Sequence, residues 1–274
     1  CALMHLKKGV FHGHADALQF TKLPGSTFEV KHPLPKNLTV AEAAKRIPAY
    51  HLPAVWFPYR KVGMSTTDIL VDRTQGMFGP FHGQLFCGEF TMSFVSRVFL
   101  EKIEGEYQGA CFRFRDGLDC AALRLEWGLN GSMYIGQSNR GWNSLGTKSY
   151  SLQRLQWKGK VPFEIKTMSA RPDGFTLTFT RPVNLKTATD IKSYMLSSYT
   201  YPYHSKYGGK ETDLIKLRIK SITLNADKQS VHLKLNNLRA GYVHELHADG
   251  VRDSTGEPLV HKAAYYTLNK IPKK

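Results

Sequence analysis

From residue 55 onward the hydrophobic positions fall into short runs of β-branched and aromatic residues, at 54–57, 84–87, 95–100 and 109–114, each bounded by Gly, Pro or polar turns. Their order predicts antiparallel neighbours. A second set, 122–127, 132–137 and 152–157, follows in the same order, with a turn at Leu129–Gly131. The two sets recur at roughly 40 to 50 residues, the length of a β-propeller blade. Ahead of them, residues 9–20 read as part of an earlier blade. A Pro-rich insertion near 31–53 carries one short helix within 38–46, with Thr39 as its N-cap.

After residues 161–165 the pattern changes. Apolar and polar positions alternate at 174–180, 215–224, 231–235 and 242–247, separated by turns at Asp227–Gln229 and Leu238–Gly241. About seven short strands over roughly 110 residues predict a β-sandwich. The expectation is an all-β chain in two parts: residues 1–165 as the last two to three blades of a propeller, and 166–274 as an immunoglobulin-like sandwich. Propellers close with about four to eight blades. Either the chain is a fragment, or a second chain supplies the missing blades, or the strands form an open sheet with covered edges.

Composition narrows the partners. The chain has no apolar run of about 18 residues that would cross a membrane, and no basic segment followed by an apolar core that would read as a signal peptide. Cys1 is either the acylated residue of a mature lipoprotein or the point where a longer chain was cut; the strand and turn signals after it do not read as a tether, so lipoprotein anchoring is not favoured. A net charge of +16 attracts acidic polysaccharide, anionic membrane, nucleic acid or an acidic redox protein. The basic residues are dispersed, with no zinc-finger, KH or RRM signature, which makes nucleic acid an unlikely partner. Cys1, Cys87, Cys111 and Cys120 form no C-x-x-C pair and no C-x-x-C-H motif, so no covalent haem site is present in the chain. Cys111 and Cys120 are either a bridge across a hairpin-sized segment or two buried thiols.

With these elements in place, Gly79–Glu89, Arg97–Glu101 and Asn130–Gln137 resemble the glucose/sorbosone dehydrogenase-like propellers, a superfamily that includes the soluble quinoprotein sugar dehydrogenases. The closer resemblance is to exported planctomycete and verrucomicrobial proteins in which such a propeller precedes an Ig-like domain and sometimes a cytochrome c module; the tail 238–268 is similar to that group. The resemblance implies a periplasmic or extracellular protein, a carbohydrate substrate, pyrroloquinoline quinone with Ca²⁺, and a quinone or cytochrome as electron acceptor. A noncatalytic carbohydrate-binding or scaffold protein with a basic surface is the alternative, because a propeller hosts many activities.

Several residues are candidates for this chemistry. His12 and His14, at spacing two around Gly13, read either as a general base on one strand face or as turn histidines satisfied by the backbone. Arg113 and Arg115 flank Phe114 and are expected on one sheet face, either clamping an anionic cofactor bidentately or simply solvated. Arg124, between Leu123 and Leu125, is the third candidate for that cofactor clamp, or is buried toward the channel axis with a partner such as Asp116 or Asp119. Gln137, Asn139, Arg140 and Trp142 lie in a polar, aromatic loop that either stacks a sugar or wedges elements together. The run Tyr199–Tyr207 is expected to dock one part of the chain on the other. Glu101 and Glu104 read as solvated. No G-x-S-x-G elbow, Walker sequence or G-x-G-x-x-G is present.

Overall fold

A computed structural model describes residues 1–26, 37–206 and 208–273. The chain is all-β, with 42% strand and 9% helix, in several sheets of which none closes into a barrel. The expected helix is present as α1 (Val40–Arg46), capped by Thr39 in a capping box with Glu42. Residues 31–36 of the expected insertion lie outside the described residues.

The strands, in chain order, are β1 (Ala2–Leu3), β2 (Val55–Trp56), β3 (Thr66–Val71), β4 (Leu85–Glu89), β5 (Phe94–Ile103), β6 (Glu106–Arg115), β7 (Ala122–Trp127), β8 (Met133–Ser138), β9 (Tyr150–Leu155), β10 (Ile165–Arg171), β11 (Gly174–Phe179), β12 (Met195–Thr200), β13 (Thr212–Lys216), β14 (Ile219–Leu224), β15 (Ser230–Leu235), β16 (Tyr242–His247) and β17 (Ala263–Leu268). The long β5–β6 hairpin closes through Glu104 and Gly105, both at positive φ (49° and 85°), the backbone of the tight turns that suit right-twisted strands.

In the first strand set β4, β5 and β6 are antiparallel neighbours as expected, but the expected first member, 54–57, is β2, which pairs with β1 instead, and the meander is led by β3, a strand outside that set; the second set makes β7-β8-β9. The expected boundary at residue 165, however, is not a break between sheets. The last strand, β17, pairs with β6, setting Tyr265 opposite Cys111 and Thr267 opposite Gly109. One eight-stranded sheet results, in the order β13-β12-β16-β17-β6-β5-β4-β3. On the other side of β6, Gly109 permits the close approach of β5, because a Cβ there would lie 1.9 Å from the Phe99 carbonyl oxygen.

The residues on each face of this sheet are set by its register. One face carries Phe112, Tyr266, Leu246 and Leu196, which pack on Phe175, Leu177, Val231 and Leu233 of the four-stranded sheet β10-β11-β15-β14. Each fully buried Phe contributes roughly 1.5–3 kcal/mol there. Toward β3 the three-stranded sheet takes over, and Phe86 and Phe78 meet Leu125, Met133 and Ile135. The opposite face carries Val98, Cys111, Val243, Tyr265 and Tyr199, covered by Val55, Phe57 and Val62.

Where the two covering sheets meet, Arg97 is 1% exposed. Its guanidinium lies between the rings of Phe81 and Phe112, 4.3 and 4.2 Å from their centroids. It donates to the carbonyls of Ile165 (2.6 Å) and Lys166 (2.9 Å) and to the Gln84 side chain. The chain at residue 165 is thereby bolted to β5 of the long sheet.

Three local expectations resolve here. The aromatic run docks on the N-terminal half: Tyr201 packs on Trp56 at 5.0 Å, Tyr203 on Tyr50 at 5.2 Å, and the Tyr203 amide donates to the Leu38 carbonyl. All four cysteines are free, with Cys87, Cys111 and Cys120 buried, so Cys111 and Cys120 are not bridged. Glu101 is not solvated. Its carboxylate accepts from the Tyr266 hydroxyl (2.6 Å) and the Ala170 amide (2.7 Å), latching β5 to β17 and β10, and burial pushes its pKa up.

Candidate functional site

The three-stranded sheet carries the site. Its inner face is apolar at one end, through Leu125, Met133 and Ile135, and polar at the other. At the polar end the buried Gln137 accepts from the Cys120 amide (2.9 Å) and donates to Gln153 (2.7 Å), which also accepts from the Asp119 amide (3.0 Å). Ser151 donates to the Asp119 carboxylate at 2.6 Å, and with Lys148 holds it below the ordinary carboxylate range. At this end Gln137 and Gln153 take the inward positions, which turns Tyr150 and Leu152 of β9 outward, 80% and 71% exposed, while Leu155 at the other end of the strand packs on the apolar core. This half of the strand is inverted relative to the usual rule that apolar residues face inward.

Cross-strand pairing arranges the outer face in rows. Glu126, Tyr134 and Arg154 form one, Arg124, Gly136 and Leu152 the next, and Ser138 with Tyr150 the last. Gly136 has no side chain, so a shallow depression runs between Arg124 and Leu152. Beyond the last row the β8–β9 loop presents Arg140 and Trp142, the latter 66% exposed. Asn139, Gly141, Trp142 and Asn143 line a shallow cleft there. Arg140 and Arg154 have no ion-pair partner among the described residues.

This loop is braced. The Asn139 side chain donates to the carbonyls of Gly146 and Lys148, each at 3.0 Å, and accepts from the Ala121 amide and the Ser144 hydroxyl. The Leu145 amide donates to the Thr91 carbonyl at 2.8 Å. Gly146 rests on the backbone before β7, where a Cβ would come within 2.5 Å of the Asp119 oxygen and the Cys120 Cα. Gly146→Val is therefore expected to lift the loop off the sheet. Amide exchange within 139–149 rises about tenfold or more, the loss of roughly one hydrogen bond's stabilisation, while exchange in β5 and β6 stays unchanged; unaltered exchange in the loop contradicts the bracing.

The other sequence candidates are placed differently. Gln137 and Asn139 are structural: one is buried in the inner face and the other ties the loop. Arg113 and Arg115 do not share a sheet face. Arg113 pairs with Ser96 and Arg115 with Val95, leaving Phe114 as a bulge; consecutive residues Val95 and Ser96 point oppositely, and so do the two arginines. Arg113 donates to the Lys61 carbonyl and pairs with Asp116 at 3.3 Å. Arg124 is 83% exposed rather than buried, and its partner is Asp68, at 3.6 Å, because a bulge at Leu123 shifts the register and leaves Leu125 as the inward residue.

His12 and His14 do not lie on a strand. His14 is exposed and caps the 3-10 helix Ala15–Lys22, accepting from the Asp16 amide at 3.3 Å. His12 packs against His51, which is joined to Glu106 at the start of β6. Arg113 lies seven residues further along that strand, about 23 Å away at 3.3 Å per residue. The histidines, the β6 arginines and Arg124 thus stand apart.

No family model matches the chain, and no curated protein matches it. Among solved structures, the N-terminal part of the bacterial S-layer protein SbsC is similar over 39% of this chain and 24% of that one, at 20% identity and a TM-score of 0.28. A likeness of that size bears on neither fold nor activity.

The residues that sequence reasoning missed are Tyr134, Tyr150, Leu152 and Arg154. The signal was present in β9, where Tyr, Leu and Arg alternate with Ser and Gln. Alternation shows which residues share a face, while neighbouring strands decide which face is outside.

Proposed function

We propose that the chain is a noncatalytic carbohydrate-binding protein whose three-stranded sheet is a platform for an acidic glycan. The observation that carries this reading is the inverted half of β9: amides are buried beneath it while Tyr150, Leu152 and, in the adjoining loop, Trp142 face solvent. Exposed rings on a braced surface suit the apolar faces of sugar rings. Arg124, Arg140 and Arg154 beside them suit carboxylate or sulfate substituents, and the +16 charge draws a polyanion toward the chain.

The propeller and immunoglobulin-like descriptions belong to the same reading. Two consecutive meanders packed face to face support blade-like units, and the sheet pair of residues 163–268 supports the sandwich. Either scaffold serves binding as readily as catalysis.

Titration calorimetry with polygalacturonate, and with dextran as the neutral control, tests the proposal. Polygalacturonate is expected to bind and to weaken with added salt, with Trp142→Ala and Tyr150→Ala each reducing affinity about tenfold, roughly 1–1.5 kcal/mol per stacked ring. Binding indifferent to the double variant removes the platform from the account. Sugar-dependent dye reduction after adding pyrroloquinoline quinone and Ca²⁺ would favour a sugar dehydrogenase instead.

A further inference from the structure

Far along the chain from the platform, three segments bring metal-ligating groups together. The ligand atoms of His5, His51 and Glu106 lie within 4.8 Å of one another, and among the described residues this is the one such group of three or more. His51 Nε2 is 3.0 Å from a Glu106 oxygen. The His12 ring stands edge-on to that of His51, with centroids 5.4 Å apart. The backbone holds these side chains in register, since the Phe11 amide donates to the Ala49 carbonyl (2.6 Å) and the His51 amide to the Phe11 carbonyl (2.9 Å).

A second observation points to a ligand. Nδ1 of His5 and both ring nitrogens of His12 are buried with no hydrogen-bond partner. A buried imidazole nitrogen without a partner forfeits roughly 1–3 kcal/mol, and one of these belongs to a member of the cluster, His5, while the other two belong to the neighbouring His12. We propose that His5, His51 and Glu106 bind a divalent transition-metal ion of the zinc type, with the fourth position left to solvent. Imidazole nitrogens with one carboxylate are a borderline-soft donor set that suits Zn²⁺ or Co²⁺ and not Ca²⁺ or Mg²⁺. At about 2.0 Å from each donor, a tetrahedral ion needs ligand atoms about 3.3 Å apart, so the side chains close in by an ångström or so. The ion would tie the N-terminal segment and the strand-preceding residue His51 to the tip of the β5–β6 hairpin.

Lys7 competes for this position. Its ammonium lies 2.7 Å from both Glu106 oxygens, and the metal must displace it. That gives the proposal a signature that a merely structural histidine cluster lacks: removing Lys7 strengthens metal binding, whereas it would only weaken an ion pair that does nothing else.

The test uses the full chain without a histidine tag, stripped with chelator and titrated with Zn²⁺ by calorimetry and with Co²⁺ by visible absorption. One ion per chain is expected, with Co²⁺ bands of tetrahedral type. His51→Gln and the milder His5→Gln and Glu106→Gln each reduce affinity at least about tenfold, and Lys7→Met increases it severalfold. Circular dichroism identifies variants that fail to fold; should His51→Gln be one, His5→Gln and Glu106→Gln decide. No saturable uptake, or uptake that His5→Gln and Glu106→Gln leave unchanged, overturns the site.

Discussion

Arg97→Ala is expected to destabilise the whole chain by roughly 3–5 kcal/mol, a large share of the roughly 5–15 kcal/mol that ordinarily holds a folded chain together. The residue is fully buried between Phe81 and Phe112 and holds the carbonyls of Ile165 and Lys166. Truncation removes the stem and the guanidinium together, leaving a cavity and taking the Arg97 donor from the Ile165 carbonyl and the Gln84 side-chain oxygen, while the Lys166 carbonyl keeps the Gln84 amide. Burial pulls the Arg97 pKa down to about 10, against the raising effect of Glu164, so the group is still charged at neutral pH. Arg97→Met separates the contributions: it keeps much of the volume against the two rings but not the hydrogen bonds, and its loss falls between wild type and alanine. Urea unfolding followed by circular dichroism measures both. Because Arg97 links β5 to the start of β10, and β17 pairs with β6, wild type is expected to unfold in one transition. Two separated transitions, with Arg97→Ala affecting only one, would refute this linkage between the halves.

Stability is expected to fall as the pH drops below about 6.5, at up to about 1.4 kcal/mol per pH unit from His244 alone. His244 is 0% exposed on the inner face of β16, against Phe175, with its ring 5.1 Å from that ring. Burial lowers its pKa to about 3, while its ordinary value is 6.5. The unfolded chain therefore binds a proton near pH 6.5 that the folded chain refuses until about pH 3. A depressed folded-state value means that the full stabilisation is present above the unfolded value and drains away between the two as pH falls. His247 acts in the opposite sense, since its hydrogen bond with Glu245 raises its value, and its share of stability is present at low pH and lost at higher pH. The difference between wild type and His244→Leu isolates the first effect: the variant has a shallower slope between pH 6.5 and 4. Parallel curves would mean that His244 does not control the acid limb.

The alternation of residue types made the strands legible. The segment 174–179 shows one buried face, because a two-residue period reports the pleat directly, whereas the alternation at 242–247 marked a strand that the fold buries on both faces. Thr39 with Glu42 likewise specified the start of α1 by local hydrogen bonding alone. Expectations failed where one residue changed the count. The bulges at Phe114 and Leu123 reverse the face of the next strand residues, and nothing in the residues flanking Arg115 or Arg124 announces them.

The site divides in the same way. Trp142 and Arg140 could be singled out from a Gly-Trp loop between two strands, but Tyr150 and Leu152 gained their exposure only when Gln137 and Gln153 took the inner positions. The pairing of His5 and His12 with His51 and Glu106 spans about a hundred residues and depends on the N-terminal segment running along the tip of β5–β6.

By itself, then, the sequence determined an all-β chain, the places of many of its strands and turns, its strong positive charge and the short capped helix, since all of these arise from local periodicity, local hydrogen bonds or summed charge. Only the tertiary structure decided that Tyr265 lies beside Cys111, that Arg97 ties β5 of the shared sheet to β10, and which side of β9 meets solvent. Strand partners and outward faces are chosen by the burial that distant segments achieve together, and no window of neighbouring residues contains that information.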